Sequence, residues 1–316
     1  MFDNLIFSIN AVLPIFLVML FGVFLKQIKI INQTGAKQMN NILFNFALPT
    51  SLFLDIAYAD LSEIMDFPFI AYSVSVTFIW FFICWAVAYF FIKERTMKGP
   101  FVQGSFRSNY AIIGLPLVAN ILGYDPPKAA IITTFVIPIF NVFSCLILTI
   151  YAGEQVSVKD TLIMAAKNIV RNPIITGIFL GILFSLSGLK MPYVLGATIE
   201  DISDLSTPLA LISIGASMDF EKVRQRMTPA LGVCFLKLVG MPLLFMTIAF
   251  FMNMSAENLV ILFVFLASPT AVSSYVMATN MGADEYLASN IILLTSLLSI
   301  FTFTIGIYVL KAMAVI

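Results

Sequence analysis

Ten apolar stretches follow one another along the chain, separated by short polar connectors. They run over 6–25, 36–57, 67–92, 101–122, 128–151, 162–186, 193–217, 229–252, 257–280 and 286–310. A helix needs roughly 20 apolar residues to cross a bilayer, so each stretch is expected to be a transmembrane helix. No β-barrel alternation of apolar and polar positions is present, and the expected class is all-α and polytopic. The second, fourth, seventh and ninth stretches are interrupted by polar residues, Gly or Pro.

The punctuation repeats. A shift of 159 residues without gaps lays Pro14 on Pro173, Gly22 on Gly181, Pro49 on Pro208, Gly123 on Gly282 and Asp125 on Asp284. Random placement of 14 prolines and 16 glycines gives roughly less than one coincidence of each. The expected organisation is therefore two five-helix repeats, 1–152 and 160–316, joined by the short "AGEQVSVKD". Five helices is an odd number, so the second copy enters the membrane upside down relative to the first. Inverted repeats of this kind are a common plan of secondary transporters.

Composition sharpens the membrane reading. The chain is 60% hydrophobic and 11% charged, with a mean hydropathy of +1.01, and a soluble core of 316 residues would need a charged shell that is missing here. "MFDNLIFSIN" has neither a basic n-region nor a following cleavage site, so the first stretch is read as a retained helix.

Lys and Arg concentrate after odd-numbered stretches, at Lys26, Lys29, Lys37, Lys93, Arg95, Lys98, Lys159, Lys222, Arg224 and Arg226, against Lys128 and Lys190 after even ones. By the positive-inside rule the odd connectors are cytoplasmic and both termini lie outside a plasma (inner) membrane. The acidic pair Asp284 and Glu285 departs from this pattern.

The same composition narrows the chemistry. With no histidine, His-based relays, zinc sites and Ser-His triads are excluded. Cys84, Cys145 and Cys234 all fall inside apolar stretches, so neither a disulfide framework nor a metal site is expected. No catalytic residue is assigned, and no basic tail points to nucleic acid. The lipid bilayer is the one large partner implied.

Candidate binding residues sit where helices must break. Non-helical backbone at membrane depth is tolerated only where protein or a water-lined cavity surrounds it. The fourth stretch contains Asn109, Tyr110, Gly114, Pro116 and Asn120, with Gly114 and Pro116 spaced to loosen the helix. The ninth contains Ser268, Pro269, Thr270, Ser273 and Tyr275. Half-helix N-termini favour an anion and half-helix C-termini a cation or proton donor. With Asn, Ser and Thr at the breaks, the expected substrate is a small organic anion, most simply a carboxylate. Pro49 and Pro208 interrupt the second and seventh stretches and expose carbonyls near Asn45 and Asp204. Asn45 is a candidate binding residue there, and Thr50, Ser51, Ser206, Thr207 and Ser213 are expected to complete the wall.

The run "RSNYAIIGLPLVANILGYD", within a ten-stretch, five-plus-five plan, resembles the auxin efflux carrier family, which includes plant auxin exporters and bacterial carboxylate permeases. The resemblance covers essentially the whole chain. It implies two broken helices crossing at the centre and an elevator-like cycle. The first, second, sixth and seventh stretches would form a scaffold and the remaining six a transport domain, with a homodimer through the scaffold expected by analogy. The long central loop of plant members is absent.

Charges inside the stretches are the remaining candidates. An intramembrane charge costs at least ~2.5 kcal/mol and needs a partner, a route to water or a function. Lys167, Arg171 and Asp219 lie near stretch ends, where they can reach water. Arg107 and Lys237 lie deeper and could attract an anion or pair with a carboxylate. Asp201 and Asp204, beside Glu200, are the candidates for a coupling proton, and a sodium ion is left open. A cation/proton antiporter on the same fold, or a membrane sensor that binds without transporting, are the competing readings.

Overall fold

The computed structural model describes residues 2–58, 65–151, 173–217 and 226–316. Lys159, Lys167, Arg171, Asp219, Lys222 and Arg224 lie outside the described residues, as do the start of the sixth stretch and the connector between the repeats. Among the described residues every regular element is helical. The first stretch forms α1 (Phe2–Gln27) and the second α2 (Gln33–Ile42) and α3 (Leu48–Ala57). The third forms α4 (Phe67–Phe91), the fourth α5 (Arg95–Phe106) and α6 (Leu115–Leu122), and the fifth α7 (Pro127–Tyr151). In the second half stand α8 (Pro173–Ser187), α9 (Tyr193–Asp204), α10 (Ser206–Ser217), α11 (Met227–Phe235) and α12 (Met241–Phe251). The chain ends with α13 (Ala256–Ala267), α14 (Ser273–Asn280) and α15 (Glu285–Ala312). Among the described residues, five helical segments are long and apolar enough to cross a membrane: Asn4–Gln27, Phe67–Phe91, Pro127–Tyr151, Met227–Phe251 and Glu285–Ala312.

Three interruptions share one cause. Single π-helical turns occupy Leu43–Ala47, Tyr110–Gly114 and Leu236–Gly240, and each ends two residues before a proline: Pro49, Pro116 and Pro242. A proline ring has no N–H and collides with the carbonyl four residues earlier, and widening the preceding turn relieves that collision. At the first site the Asn45 side chain bonds the Asn41 carbonyl at 2.8 Å, and the Thr50 hydroxyl bonds the Phe46 carbonyl at 2.7 Å. The turn at Leu236–Gly240 falls in the eighth stretch, which the sequence left uninterrupted.

Charged clusters close the helix assembly at its two ends. At one end Arg226 reaches Glu94 at 2.7 Å and Asp284 at 3.0 Å, and the Asp284 N–H donates to the Thr96 carbonyl. The hydrogen bond to Glu94, with the charges of both acids, raises the Arg226 guanidinium above its ordinary value. At the other end Lys128 lies 3.5 Å from Asp66 and 3.9 Å from Glu257, while the Asn258 amide donates to Asp66 at 2.9 Å. The first cluster draws on connectors after odd-numbered stretches and the second on connectors after even ones. Asp284, the departure from the basic pattern, is the partner of Arg226.

Glycines set two close helix contacts. Gly22 of α1 presses on the Ile212 carbonyl of α10, where any Cβ would overlap it. Gly181 of α8 would bring a Cβ to 2.8 Å from the Phe53 carbonyl of α3, and Gly177 packs against the Pro49 carbonyl. Such small-residue contacts let membrane helices approach backbone to backbone.

Candidate functional site

The fourth and ninth stretches each leave the helix, and the two gaps meet. The fourth is non-helical over 107–109, earlier than Gly114 and Pro116, where the helix widens but continues. The ninth opens between Ala267 and Ser273, around Pro269. Each gap satisfies polar groups of the other. The Asn109 N–H donates to the Pro269 carbonyl at 2.7 Å, the Ser108 hydroxyl to the Phe265 carbonyl at 3.0 Å, and the Thr270 hydroxyl to the Gly104 carbonyl at 2.7 Å. Gly104 and Phe265 belong to the last turns of α5 and α13, whose carbonyls have no partner within their own helices. The Ser105 carbonyl, in the same turn, accepts from the Trp80 indole at 2.9 Å.

A cavity of about 400 Å³ opens beside the crossing, with Phe44 and Phe140 among its apolar walls. Its polar lining is Arg107, Ser108, Asn109, Tyr110, Thr133, Asn141 and Ser273, and Met277 adds a polarizable sulfur. Arg107 is 8% exposed. Its guanidinium donates to Asn141 Oδ1 at 3.1 Å, Ser273 Oγ at 2.9 Å, Ser144 Oγ at 3.2 Å and Met277 Sδ at 2.9 Å. All four acceptors are neutral, and among the described residues no ion pair reaches Arg107. The Asn109 side-chain amide nitrogen and the Tyr110 hydroxyl are buried without a hydrogen-bond partner among the described residues. The arrangement is an uncompensated buried cation with two idle neutral polar groups at the same wall. It can hold an anion that also carries a hydrogen-bonding end.

Of the expected site residues, Arg107, Asn109, Tyr110 and Ser273 line this cavity. Ser268, Pro269 and Thr270 are buried in the crossing itself and build it instead of lining the space. Gly114 is packed against the Tyr110 ring and the Ser268 hydroxyl. Pro116 and Ser51, with Ser206 and Thr207, line a separate space of about 60 Å³. Asn45 faces a third cavity between α3 and α8, and Asn120 donates to the Ala11 carbonyl at 3.3 Å. Tyr275 is half-buried against the core, and the buried Ser213 hydroxyl bonds the Ala36 carbonyl.

The charged candidates separate. Lys237 is fully buried, but its Nζ meets Met241 Sδ at 3.5 Å and lies beside Cys84, away from the cavity. Asp201 and Asp204 are exposed on α9, a short helix that buries only Gly196. The α9 helix turns its acids away from the protein, so they do not join the crossing.

Asn141, Ser144 and Met277 are site residues that the sequence pattern did not single out. Asn141 left a signal: it is an amide in the otherwise apolar run after Pro138, and such a group inside a membrane helix seeks a polar partner. Met277 gave none, because methionine is common filler in this chain. Among the described residues no group of three His, Cys, Asp or Glu could hold a metal ion.

Comparison with known proteins places the chain. Residues 7–307 match the membrane transport protein family. An uncharacterized transporter of Methanothermobacter thermautotrophicus is 25% identical over 298 residues, covering 93% of this chain and 95% of that protein. The uncharacterized transporter YfdV of Escherichia coli is 25% identical over 288 residues, 87% of this chain and 89% of its own length. A putative malonate transporter of Rhizobium meliloti is 26% identical over 290 residues, 87% of each chain. The chain belongs to the membrane transport protein family, the auxin-efflux-type carriers that its fourth stretch resembles, and is a multi-pass membrane transporter.

Proposed function

We propose that the chain is a secondary carrier of a small organic anion, most simply a carboxylate, held at the crossing of the fourth and ninth stretches. The observation that carries this reading is Arg107, a buried guanidinium facing a cavity with neutral acceptors only. A buried cation without a counter-charge is costly, and an incoming carboxylate supplies that charge. A cation antiporter would want carboxylates at the crossing, and the described lining residues include none. The putative malonate transporter among the relatives fits the same substrate class.

The proposed architecture is a five-plus-five inverted repeat working as an elevator. Two contacts support the duplication: Gly22 on Ile212 and Gly181 on Phe53 are the same contact under the 159-residue shift, since Gly22 maps to Gly181 and Phe53 to Ile212. Those glycine contacts tie α1 to α10 and α3 to α8, within the proposed scaffold. The ion-pair clusters at both ends tie together only elements of the proposed transport domain, through Asp66, Glu94, Lys128, Arg226, Glu257 and Asp284. Phe44 and Pro173, from the scaffold side, face Arg107 across the cavity. The site would thus lie between a body that stays and a body that moves. Inner-membrane residence, with both termini outside, is the orientation proposed from the basic connectors.

The test is thermal stabilisation of the purified protein by a panel of carboxylates, sodium and protons. A ligand that binds only the folded state raises stability by about 2.7 kcal/mol at a hundred times its Kd. Stabilisation by a carboxylate, lost in Arg107→Gln, is the expected result. Stabilisation by sodium or protons alone would overturn the reading.

A further inference from the structure

The anion site described above also constrains the ionisation state of what it carries, and this inference rests on that reading. Among the described residues Arg107 is the one charged side chain lining the cavity. The other titratable residues that line it are Tyr110 at the crossing and Cys145 on α7, and among the described residues no carboxylate, lysine or histidine lines the space. Lys237, the other deeply buried cation, points at Met241 and Cys84 instead. One buried cation neutralises one negative charge, and a second would remain unpaired in a mostly apolar space, where an isolated charge is expelled or neutralised. The idle donors beside Arg107, Asn109 Nδ2 and the Tyr110 hydroxyl, are neutral and suit an uncharged polar end.

We infer that the carried species is a monoanion whose carboxylate meets Arg107 and whose second, uncharged polar end meets Asn109 and Tyr110. A dicarboxylic acid is then carried as its half-protonated form. The proton crosses on the substrate and dissociates from the second carboxyl on the far side, so dicarboxylate and proton move together without a proton-carrying side chain.

The experiment measures binding of malonate and of its monoamide to the purified wild-type protein, across the pH range of the second malonate ionisation. The monoamide keeps a single negative charge throughout. Malonate is expected to weaken about tenfold for each pH unit above that ionisation, because apparent affinity follows the competent fraction. The monoamide is expected to hold constant within about twofold over the same range. Asn109→Ala is expected to weaken the monoamide about tenfold and to weaken propionate, which has no second polar end, far less. Equal weakening of the two would overturn the assignment of Asn109 to the second polar end. Malonate binding that is flat with pH would mean that the dianion is accepted, and would overturn the inference alone. Parallel weakening of malonate and monoamide would assign the titration to the protein, and would overturn the inference in the same way. If neither compound binds, or if Arg107→Gln binds both like wild type, the anion site itself fails.

Discussion

Gly114→Ala tests whether the crossing is as tightly determined as its geometry implies. A methyl group at this position would overlap the edge of the Tyr110 ring and stand 3.0 Å from the Ser268 hydroxyl. Neither neighbour is free to yield. Tyr110 is fully buried and lies edge-on to Phe265 at 5.5 Å between ring centroids, and Phe265 in turn stacks on Phe140. The Ser268 hydroxyl is bonded to the Val264 carbonyl at 2.6 Å. Overpacking a rigid site costs about 1–3 kcal/mol, which in a chain of this size lowers the melting temperature by roughly 2–6 °C. Thermal unfolding in detergent of Gly114→Ala, Tyr110→Ala and the double variant gives the decisive comparison. If the clash is with the ring, the double variant is less destabilised than the sum of the singles by about 1–3 kcal/mol. Additivity within ~0.5 kcal/mol would refute the assignment of Gly114 to the Tyr110 contact.

Other predictions follow from the helix contacts and the polar ends. Gly22→Ala and Gly181→Ala each force a Cβ onto a backbone carbonyl, and both are expected to lower thermal stability by about 1–3 kcal/mol. A large effect at one and none at the other, in the same melting assay, would break the proposed equivalence of the two contacts. Burial pushes the Asp66 carboxyl up, but hydrogen bonds from the Asn258 amide and the Phe69 N–H, with the Lys128 charge, bring it below its ordinary 3.8. Its folded value lies under its unfolded one, so its stabilisation is present above that ordinary value and is lost as pH falls through the folded one. Asp66→Asn should therefore melt about 1–2 °C lower than wild type at neutral pH, with the gap closing as the solution is acidified. A gap that persists or widens in acid would contradict this. Cys84 and Cys234 are buried free thiols away from the cavity, and a maleimide should label them only after denaturation.

Much of the helical pattern can be read from the chain because lipid leaves so few alternatives. Long apolar runs such as 67–92 and 128–151 must bond their backbones internally, and α4 and α7 occupy those runs almost residue for residue. The meeting of the two interrupted stretches was also legible in part, since Pro269 cannot continue a helix. The position of the other gap was not. Pro116 strains the turn before it, and the chain answers with a π turn over Tyr110–Gly114, while the helix itself breaks at 107–109. That position depends on bonds to Pro269 and Phe265, some 160 residues away, which no local pattern encodes.

The same limit governs the charges. Arg107 and Lys237 look alike as single charges within apolar stretches, and Asp201 and Asp204, beside Glu200, look like acids inside another. Only packing separates a cavity-facing guanidinium, an amine buried beside Met241 and two acids on an open helix face. Asn141 shows the converse: its sequence neighbourhood marks it as an amide in need of a partner, and only packing shows that the partner is Arg107.

The measurement that bears most directly on the central claim is uptake of labelled malonate into proteoliposomes containing wild type, Arg107→Lys or Arg107→Gln. Wild type is expected to show saturable uptake that other small carboxylates compete. Arg107→Lys, which keeps the charge but cannot span Asn141, Ser273 and Ser144 together, should lose about 10–100-fold in apparent affinity. Arg107→Gln should abolish uptake while remaining folded by melting. Wild-type transport by Arg107→Gln, or saturable uptake of a cation in place of the carboxylate, would contradict the account.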